Sequence, residues 1–467
     1  MRKIIKERDE LCCLSLFQRR SFTGDIKLRH KLKTLLLKKC FRIKKILNYL
    51  IKTLGCQVNM CDSDRLDSIL LAYGASKVDN FLDADVFILN TCSVRMQSEQ
   101  KIFSYLGKIE EFKQQNSDIK IIVMGCMAER LGYDIKKRFK SVDLVVGTKD
   151  IDNGISKIID LCCLKNSFKK INSNVKLRSK IVSHITIMKG CNNYCSYCIV
   201  PFVRGIEKSF DYNTIINKCS LVVENGVKEI ILLGQNVNSY KYRNVDFSLL
   251  LKNVASIKNL ERIRFLTNHP KDLNDNLIDV IAKNSKMCSH IHLPMQSASN
   301  KILQLMNRKY TYEYYSYLIK KLRFAVPDIS ITTDIIVGFP GETDKDFEYT
   351  LNAVKTIRFG GLYVFKYSPR PNTKAFEMSD NVSTVEKKRR HAIILEESNK
   401  ISAEIVSKMV GSKHQVLVEN IGNGFMEART KSGRKVFIKI NKEYCGKILN
   451  VVIKEAKVNS LFGDVID

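Results

Sequence analysis

The sequence predicts an α/β protein in three parts: an N-terminal domain with a parallel sheet, an incomplete barrel of six strand–helix units, and a small C-terminal OB-like β-barrel. Up to about residue 410, apolar strand-like runs alternate with segments of helical periodicity, which is typical of parallel sheets. The remaining residues form short strand-like runs separated by turn residues, and this pattern is typical of small closed barrels.

The composition excludes several classes of protein. The chain has 467 residues, 45% of them hydrophobic and 27% charged, which is enough for two or three domains with cores of their own. No apolar run approaches the roughly 20 residues of a membrane span. The 15 cysteines, in a long chain without a recognisable secretory signal, indicate a reducing compartment where thiols bind metals or do chemistry. We therefore expect a cytoplasmic protein with no membrane segment.

The strong positive charge indicates a polyanionic partner. A net charge of +30 favours nucleic acid, although a lysine-rich genomic composition would also produce it, since the lysines are spread along the chain. Residues 1–45 contain 15 Lys and Arg against 4 Asp and Glu, a net of +11. Glu7, Asp9 and Glu10 do not suit an organellar transit peptide. We expect a non-essential extension.

Residues 46–165 form the predicted N-terminal domain, with strands at 50–54, 85–89, 119–124 and 144–146. Helices are predicted at 62–73, capped by Asp62 or Ser63, at 97–115 and at 128–140. Cys56, Cys92 and Cys126 each follow one of the first three strands. Open α/β sheets bind ligands at the edge where their strands end. Although a single cysteine is more often a small buried hydrophobe, three in this position predict a cluster site. Cys61, Cys162 and Cys163 lack this placement and are interpreted as structural.

Residues 166–180 are predicted to be a linker, and residues 181–408 to be the barrel. Six strands are expected at 183–188, 229–234, 262–267, 289–294, 330–337 and 362–367. A barrel of six units is open along one side, which suits a large substrate. Polar or glycine-rich loops follow these strands, at the end where βα barrels place their active sites. Beyond the loop after the first strand, they lie at 234–236, 268–270, 294–297, 338–342 and 367–371.

The loop after the first barrel strand contains Cys191, Cys195 and Cys198 in the spacing C-x3-C-x2-C. A [4Fe–4S] cluster usually takes four thiolates, so three leave one iron open to a non-protein ligand. A structural zinc site needs a closed set of four ligands. Because Cys219 or His184 is available as a fourth ligand, the spacing alone leaves zinc open.

The C-terminal residues 409–467 are predicted to form a small β-barrel, with strands at 416–419, 425–428, 435–438 and 448–453. OB-like barrels are frequent nucleic-acid binders. One hairpin turn carries the candidate RNA contacts Arg429, Lys431, Arg434 and Lys435. A solvated hairpin tip is the alternative interpretation.

Taken together, the motifs resemble the radical S-adenosylmethionine (SAM) methylthiotransferases, and within them the branch of tRNA-2-methylthio-N6-dimethylallyladenosine synthases. The resemblance covers about residue 46 to the C-terminus, in the order methylthiotransferase domain, radical SAM barrel and TRAM domain. Six cysteines fall in matching contexts. The matching segments are 54–59, 90–95, 125–128, 191–201 and 204–205, and the segments 90–95 and 367–371 favour this branch. Phe210 replaces a usual arginine, and Ala298 and Asn372 replace usual glycines.

The resemblance implies two [4Fe–4S] clusters and SAM as cofactors. Cys191, Cys195 and Cys198 would hold the cluster that cleaves SAM to a 5′-deoxyadenosyl radical, and this radical would remove hydrogen from C2 of N6-isopentenyladenosine beside the tRNA anticodon. Cys56, Cys92 and Cys126 would hold an auxiliary cluster that supplies or carries the sulfur. SAM contacts are expected at Gly234, Gln235, Asn236, Asp334 and Gly338.

The resemblance further implies tRNA as substrate, an electron donor of the flavodoxin or ferredoxin type, and a monomer. One alternative is a sister methylthiotransferase that acts on threonylcarbamoyl-adenosine or on a ribosomal protein. The other is a non-catalytic RNA-binding protein that contains a metal.

Overall fold

The computed structural model describes residues 46–466, except 94–95, 116–117, 165–180, 423, 441, 443 and 458–459. The basic extension predicted for residues 1–45 and the linker predicted for 166–180 lie outside the described residues. The described residues from Asn48 onward form one compact unit. None of the helices in the described part of the chain is both long and apolar enough to cross a membrane.

The N-terminal domain alternates strands and helices along the chain. Its elements are β1 (Asn48–Leu54), α1 (Gln57–Ala72), β2 (Ser76–Lys77), β3 (Val86–Thr91), α2 (Met96–Gln115), β4 (Lys120–Gly125), α3 (Cys126–Leu131), α4 (Tyr133–Arg138), β5 (Leu144–Val146) and α5 (Ile151–Leu161). The strands form one parallel sheet in the order β2-β1-β3-β4-β5. Strand β3 is buried throughout, as expected for the centre of a parallel sheet with an apolar sequence. The predicted parallel sheet is confirmed.

Two predicted helix boundaries in this domain are wrong. Helix α1 begins at Gln57 with Cys56 as its N-cap, so neither Asp62 nor Ser63 caps it. Both side chains have other partners. Ser63 bonds Thr53 and Asn90, and Asp62 forms an ion pair with Arg204 of the barrel. The single helix predicted for 128–140 is two short helices, which break at Gly132, where φ is +45°.

The central part of the chain again alternates strands and helices. Its elements are β6 (Val182–Thr186), β7 (Met188–Lys189), α6 (Val200–Arg204), β8 (Lys208–Ser209), α7 (Tyr212–Glu224), β9 (Glu229–Leu233), β10 (Lys241–Tyr242), β11 (Val245–Asp246), α8 (Phe247–Ala255), β12 (Arg262–Phe265), α9 (Asp275–Lys283), β13 (His290–His292), α10 (Asn300–Leu305), α11 (Tyr312–Ala325), β14 (Ser330–Val337), α12 (Asp344–Ile357), β15 (Gly361–Lys366) and α13 (Thr384–Ser407).

Six of these strands form the predicted incomplete barrel. They make two parallel sheets, β6-β9-β12 and β13-β14-β15, which a bridge between Ile263 and Met287 joins. Among the described residues no pairing connects β6 to β15, so the barrel is open on that side. Most of its helices start at an N-cap side chain that accepts a hydrogen bond from the N3 amide, which satisfies a donor that helix starts leave unpaired. These caps are Asp211, Asp246, Asn274, Ser299, Thr311, Thr343 and Ser383.

The C-terminal residues form a closed five-stranded barrel in the order β16-β17-β18-β20-β19. Its strands are β16 (Lys413–Gly422), β17 (Phe425–Thr430), β18 (Lys435–Lys439), β19 (Ile448–Lys457) and β20 (Ser460–Val465). The predicted small barrel is confirmed, but the sequence prediction lacked β20. Glycine is required at position 463, in the middle of this strand, because a Cβ there would lie 2.6 Å from Val452 O of the neighbouring strand.

Candidate active site

The first group of candidate ligands, the auxiliary cysteine set, consists of Cys56, Cys92 and Cys126. The register of the N-terminal sheet places them side by side, because Thr91 pairs with Leu54 on one neighbouring strand and with Gly125 on the other. Each cysteine follows this row of paired residues by one or two positions. The three cysteines therefore lie at the same edge of the sheet, where the strands end.

Two buried asparagines tie the loops of the auxiliary set together. Asn59 Nδ2 donates to Asn90 Oδ1 over 2.8 Å and to Thr91 O over 3.1 Å, while Asn90 Nδ2 donates to Asn59 O over 2.8 Å. Glycine is required at position 125, because φ is +104° and a Cβ there would lie 2.3 Å from Thr91 O. Sequence reasoning assigned no positioning role to these residues, although they stand within three positions of a cysteine.

The surroundings of the auxiliary set suit a metal cluster that thiolates bind. Cys92 and Cys126 are buried and Cys56 is exposed. Burial raises the pKa of Cys126 to about 11, and the neighbouring Cys92 and Cys56 add to this rise. Buried thiols of this kind become thiolates when a metal centre supplies positive charge. Three sulfur donors at one sheet edge fit an iron–sulfur cluster with one open iron.

The second group, the barrel cysteine set, consists of Cys191, Cys195 and Cys198 in the loop after β7. Backbone hydrogen bonds fix this loop, from Cys191 N to Gly205 O over 3.2 Å and from Cys198 N to Cys195 O over 2.9 Å. Gly190 is required before it, because φ is +73° and a Cβ would lie 2.0 Å from Ile206 O. Burial raises the pKa of Cys198 to about 12, so this set also needs a cationic centre to hold thiolates.

A buried arginine that sequence reasoning missed contacts the barrel set. Arg308 Nη1 donates to Cys195 Sγ over 3.4 Å, and its other donors bond Pro294 O at 3.1 Å and the Tyr310 hydroxyl at 3.0 Å. Arg308 follows helix α10, which also anchors the cysteine loop, since Ser196 N donates to Met306 O over 3.0 Å. The chain has 78 Lys and Arg residues, and nothing in the sequence distinguishes Arg308 from the others.

The five-residue helix α6 lies between the two cysteine sets. This helix begins two residues after Cys198 and packs against α3, which begins with Cys126. Cys126 forms a small buried cluster with Ile199 and Val203. The helix ends at Arg204, which makes an ion pair of 3.0 Å with Asp62. The barrel and the N-terminal domain therefore meet at their two candidate cluster sites.

The residues at the mouth of the barrel fit a ligand with many polar groups, as SAM is. Six buried side-chain atoms in the loops after the barrel strands have no hydrogen-bond partner among the described residues: Gln235 Oε1, Asn236 Oδ1, Asn268 Oδ1, His269 Nε2, Gln296 Oε1 and Ser368 Oγ. Buried polar atoms normally have partners, so an unpaired group of this kind indicates a ligand site. Gln235 and Asn236 are predicted SAM contacts, whereas Asn268, His269, Gln296 and Ser368 lie in predicted loops without an assigned role.

The remaining predicted SAM contacts, Gly234, Gly338 and Asp334, have close contacts or hydrogen bonds within the protein. Gly234 packs so closely that a Cβ would lie 2.4 Å from Met188 Cγ. Gly338 has φ at +68°, and its amide donates to Glu342 Oε2 over 2.6 Å. Asp334 Oδ2 lies 3.2 Å from His292 Nε2. Binding of SAM by these three residues stays a prediction.

Three departures from the family pattern are accommodated by the fold. Phe210 packs against the barrel core, and its carbonyl accepts a hydrogen bond from the Tyr240 hydroxyl over 2.9 Å. Ala298 is buried in the same core. Asn372 has φ at +71°, a left-handed conformation that asparagine tolerates better than other non-glycine residues.

The zinc alternative proposed Cys219 or His184 as a fourth ligand of the triad. Cys219 lies in the apolar barrel core on helix α7, and burial raises its pKa to about 12. His184 is exposed on strand β6. In the part of the chain that the structure describes, no three His, Cys, Asp or Glu residues are arranged to hold a single metal ion. Thiolates of a cubane cluster each bind a different iron and so stand farther apart.

The hairpin with the predicted RNA contacts lies against the amino-terminal end of the barrel. Lys431 Nζ donates to Ser285 O over 2.6 Å, and Arg434 Nη2 donates to Gly360 O over 3.1 Å. Arg429 pairs with Glu419 over 2.6 Å. The side chain of Lys435, half exposed at 51%, lies 4.0 Å from Glu427. All four side chains thus have intramolecular partners that the sequence did not predict, and the contact of Lys435 is the longest of them.

Comparison with protein families divides the chain into three matches. Residues 48–147 match the uncharacterized protein family UPF0004, residues 185–354 match the radical SAM superfamily, and residues 407–466 match the TRAM domain. Among solved structures, the chain resembles the radical S-adenosylmethionine methyltransferase TsrM from Kitasatospora setae. The TM-score is 0.54 with 12% identity, over 82% of this chain and 80% of that one, so the likeness concerns the fold alone.

Curated relatives match nearly the whole chain. The tRNA-2-methylthio-N(6)-dimethylallyladenosine synthase of Endomicrobium trichonymphae is 67% identical over 420 residues, which cover 90% of this chain and all of the relative (100%). The protein of the same name from Thermodesulfovibrio yellowstonii is 44% identical over 89% of this chain and 98% of its own. The chain therefore belongs to the radical SAM family of tRNA-2-methylthio-N(6)-dimethylallyladenosine synthases.

Proposed function

We propose that this protein adds a methylthio group to C2 of N6-isopentenyladenosine beside the anticodon of tRNA, with SAM and two [4Fe–4S] clusters as cofactors. The observation that carries this proposal is the pair of three-cysteine sets on either side of helix α6, each at the end of parallel strands. One set suits the cluster that binds SAM, because it lies at the barrel mouth beside the unpaired polar atoms. The other suits an auxiliary cluster that carries sulfur.

The residues of the chain have distinct roles in this proposal. Bound in the barrel, the cluster and SAM supply the one-electron chemistry that a C–H bond without an acidic proton requires. Cys191, Cys195 and Cys198 hold that cluster, and Gln235 and Asn236 orient SAM through their unpaired carbonyl oxygens. The apolar walls around the cysteine loop exclude water, as the contact of Tyr197 with Phe339 illustrates.

The partners follow from charge and from the enzyme family. The net charge of +30 favours tRNA as the substrate, and the C-terminal barrel is proposed to contribute to its binding. Of the four hairpin residues, Lys435 presents the most accessible amine for a phosphate. We further propose an electron donor of the flavodoxin or ferredoxin type, a monomeric enzyme in the cytoplasm, and domain bounds of 46–165, 181–408 and 409–467.

Two measurements test the function: the iron content of anaerobically prepared protein, and complementation of a deletion strain. Two cubane clusters correspond to about eight irons per chain, four in each. Expression in a strain that lacks its own methylthiotransferase should restore the methylthio form of N6-isopentenyladenosine in tRNA digests. Restoration of the methylthio form of threonylcarbamoyl-adenosine instead would favour the sister enzyme. A colourless protein that contains zinc would contradict the proposal.

A further inference from the structure

Two arginines of the barrel contact the N-terminal domain beside the auxiliary cysteine set, Arg204 at the end of α6 and Arg370 in the loop after β15. Both are buried, each with 8% of its surface exposed. Each lies beside a carboxylate of the N-terminal domain, Asp62 for Arg204 and Glu99 for Arg370. The barrel therefore brings two guanidinium groups to a site whose cysteines all belong to the other domain.

Arg204 lies next to Cys126. Its side chain is within hydrogen-bonding reach of the thiol, and the residue before it, Val203, packs against Cys126. Arg204 Nη2 is buried and has no aligned acceptor among the described residues, although Asp62 Oδ2 lies 3.0 Å away. A buried guanidinium with an unused N–H group is suited to an anionic ligand at the cysteines.

Arg370 is connected through Glu99 to Ser93, the residue after Cys92. Arg370 Nη1 lies 3.8 Å from Glu99 Oε1, and Glu99 also pairs with Arg130 over 2.8 Å. Ser93, the neighbour of Cys92, completes this network, since its hydroxyl donates to Glu99 over 2.7 Å and accepts from Arg130 over 2.8 Å. The network is buried and connects the barrel loop to the residue next to a cysteine.

We propose that Arg204 and Arg370 are positioning residues that fix the auxiliary cluster against the barrel and raise its reduction potential. This inference rests on the proposed auxiliary cluster. Reduction adds negative charge to a cluster, so nearby cations and hydrogen bonds to its sulfurs stabilise the reduced state. Because both arginines come from the barrel, the potential of the auxiliary cluster depends on contact between the two domains.

The test uses a parent variant of the full-length protein in which Cys191, Cys195 and Cys198 are changed to Ala, so that only the auxiliary cluster remains. Redox titration followed by electron paramagnetic resonance compares this parent with versions that also carry Arg204→Gln, Arg204→Lys or Arg370→Gln. Arg264→Gln is the matched control, because Arg264 is a buried arginine paired with Glu229 over 3.0 Å on strand β12, outside the cluster sites.

We expect Arg204→Gln and Arg370→Gln to shift the midpoint potential to more negative values, Arg204→Lys to shift it less, and the control to leave it unchanged. Selective loss of iron from Arg204→Gln, with circular dichroism intact, also supports the proposal. Unchanged potentials in both glutamine variants, with about four irons per chain, would overturn it, as would equal shifts or equal iron loss in the control. A parent without iron would instead contradict the auxiliary cluster itself, and the inference with it.

Discussion

Arg308 Nη1 lies 3.4 Å from Cys195 Sγ, and this hydrogen bond joins a buried cation to a cysteine of the barrel set. Arg308 also bonds Pro294 O and the Tyr310 hydroxyl, so its guanidinium cannot move without breaking three interactions. Hydrogen bonds to cluster sulfurs contribute to the reduction potential of iron–sulfur centres. The barrel set therefore has a buried arginine of its own, as the auxiliary set does.

Arg308→Gln is expected to slow reductive SAM cleavage while leaving most of the fold intact. A hydrogen bond to a charged group is worth about 1.5–3 kcal/mol. Since about 1.4 kcal/mol corresponds to a tenfold change in rate, we expect a loss of roughly tenfold to a hundredfold. Production of 5′-deoxyadenosine by reduced, reconstituted enzyme measures it. Arg323→Gln is the control, because Arg323 also donates to backbone carbonyls but lies in α11. Equal losses in both variants would make the effect one of general stability.

Single alanine variants of the six cysteines should separate the two sets. Loss of Cys191, Cys195 or Cys198 is expected to abolish SAM cleavage, because these residues are proposed to hold the cluster whose open iron binds SAM. Loss of Cys56, Cys92 or Cys126 should leave cleavage in place, slower and uncoupled, but give no methylthiolated tRNA. Iron should fall by about four atoms per chain in either case. The same loss of cleavage in both sets, with unchanged circular dichroism, would mean that the two sets do not divide the reaction.

The parts of the site that depend on local order along the chain could be predicted from the sequence. Cys56, Cys92 and Cys126 each follow a strand, and parallel strands end at one edge of a sheet, so their grouping required no tertiary information. The triad is defined by spacing within eight residues, from 191 to 198. The number of barrel strands followed in the same way from hydrophobic runs and the loops after them.

The contacts between distant segments could not be predicted. Arg204 and Asp62 are 142 positions apart, and Arg308 and Cys195 are 113 apart, so neither pair leaves a signal of periodicity or spacing. The hairpin of the C-terminal barrel illustrates the same limit. Its basic residues have the composition of a nucleic-acid contact, yet Lys431 and Arg434 bond carbonyls of the central barrel, which only the tertiary structure reveals.

His269 is expected to make the stability of the protein sensitive to acid. Burial lowers its pKa from 6.5 to about 2, and its Nε2 atom has no partner among the described residues. Between these values the unfolded chain binds a proton that the folded chain does not, so stability falls as the pH falls below 6.5. At pH 5 the loss from this group is about 2 kcal/mol.

Urea unfolding of anaerobic protein between pH 7 and pH 5 measures this dependence. His269→Gln should flatten it, whereas the same change at the exposed His184 should not. An unaltered slope in His269→Gln would show that other groups produce the acid sensitivity.

The hairpin of the C-terminal barrel provides a test that separates docking from RNA binding. Arg262 is fully buried and donates to Arg429 O over 2.6 Å and to Gln415 O over 3.1 Å, so the hairpin is held from the barrel side as well. Alanine at Arg429, Lys431 and Arg434 together should therefore lower the urea midpoint of unfolding and leave the salt dependence of tRNA binding nearly unchanged. Alanine at Lys435, whose side chain is 51% exposed, should reduce the slope of log K against log salt by about 0.7–0.9, one released counterion, with little effect on stability. Filter binding of tRNA at several salt concentrations gives both slopes. A slope that falls by about three times that amount in the triple variant, with an unaltered urea midpoint, would mean that the three side chains leave the barrel to contact RNA.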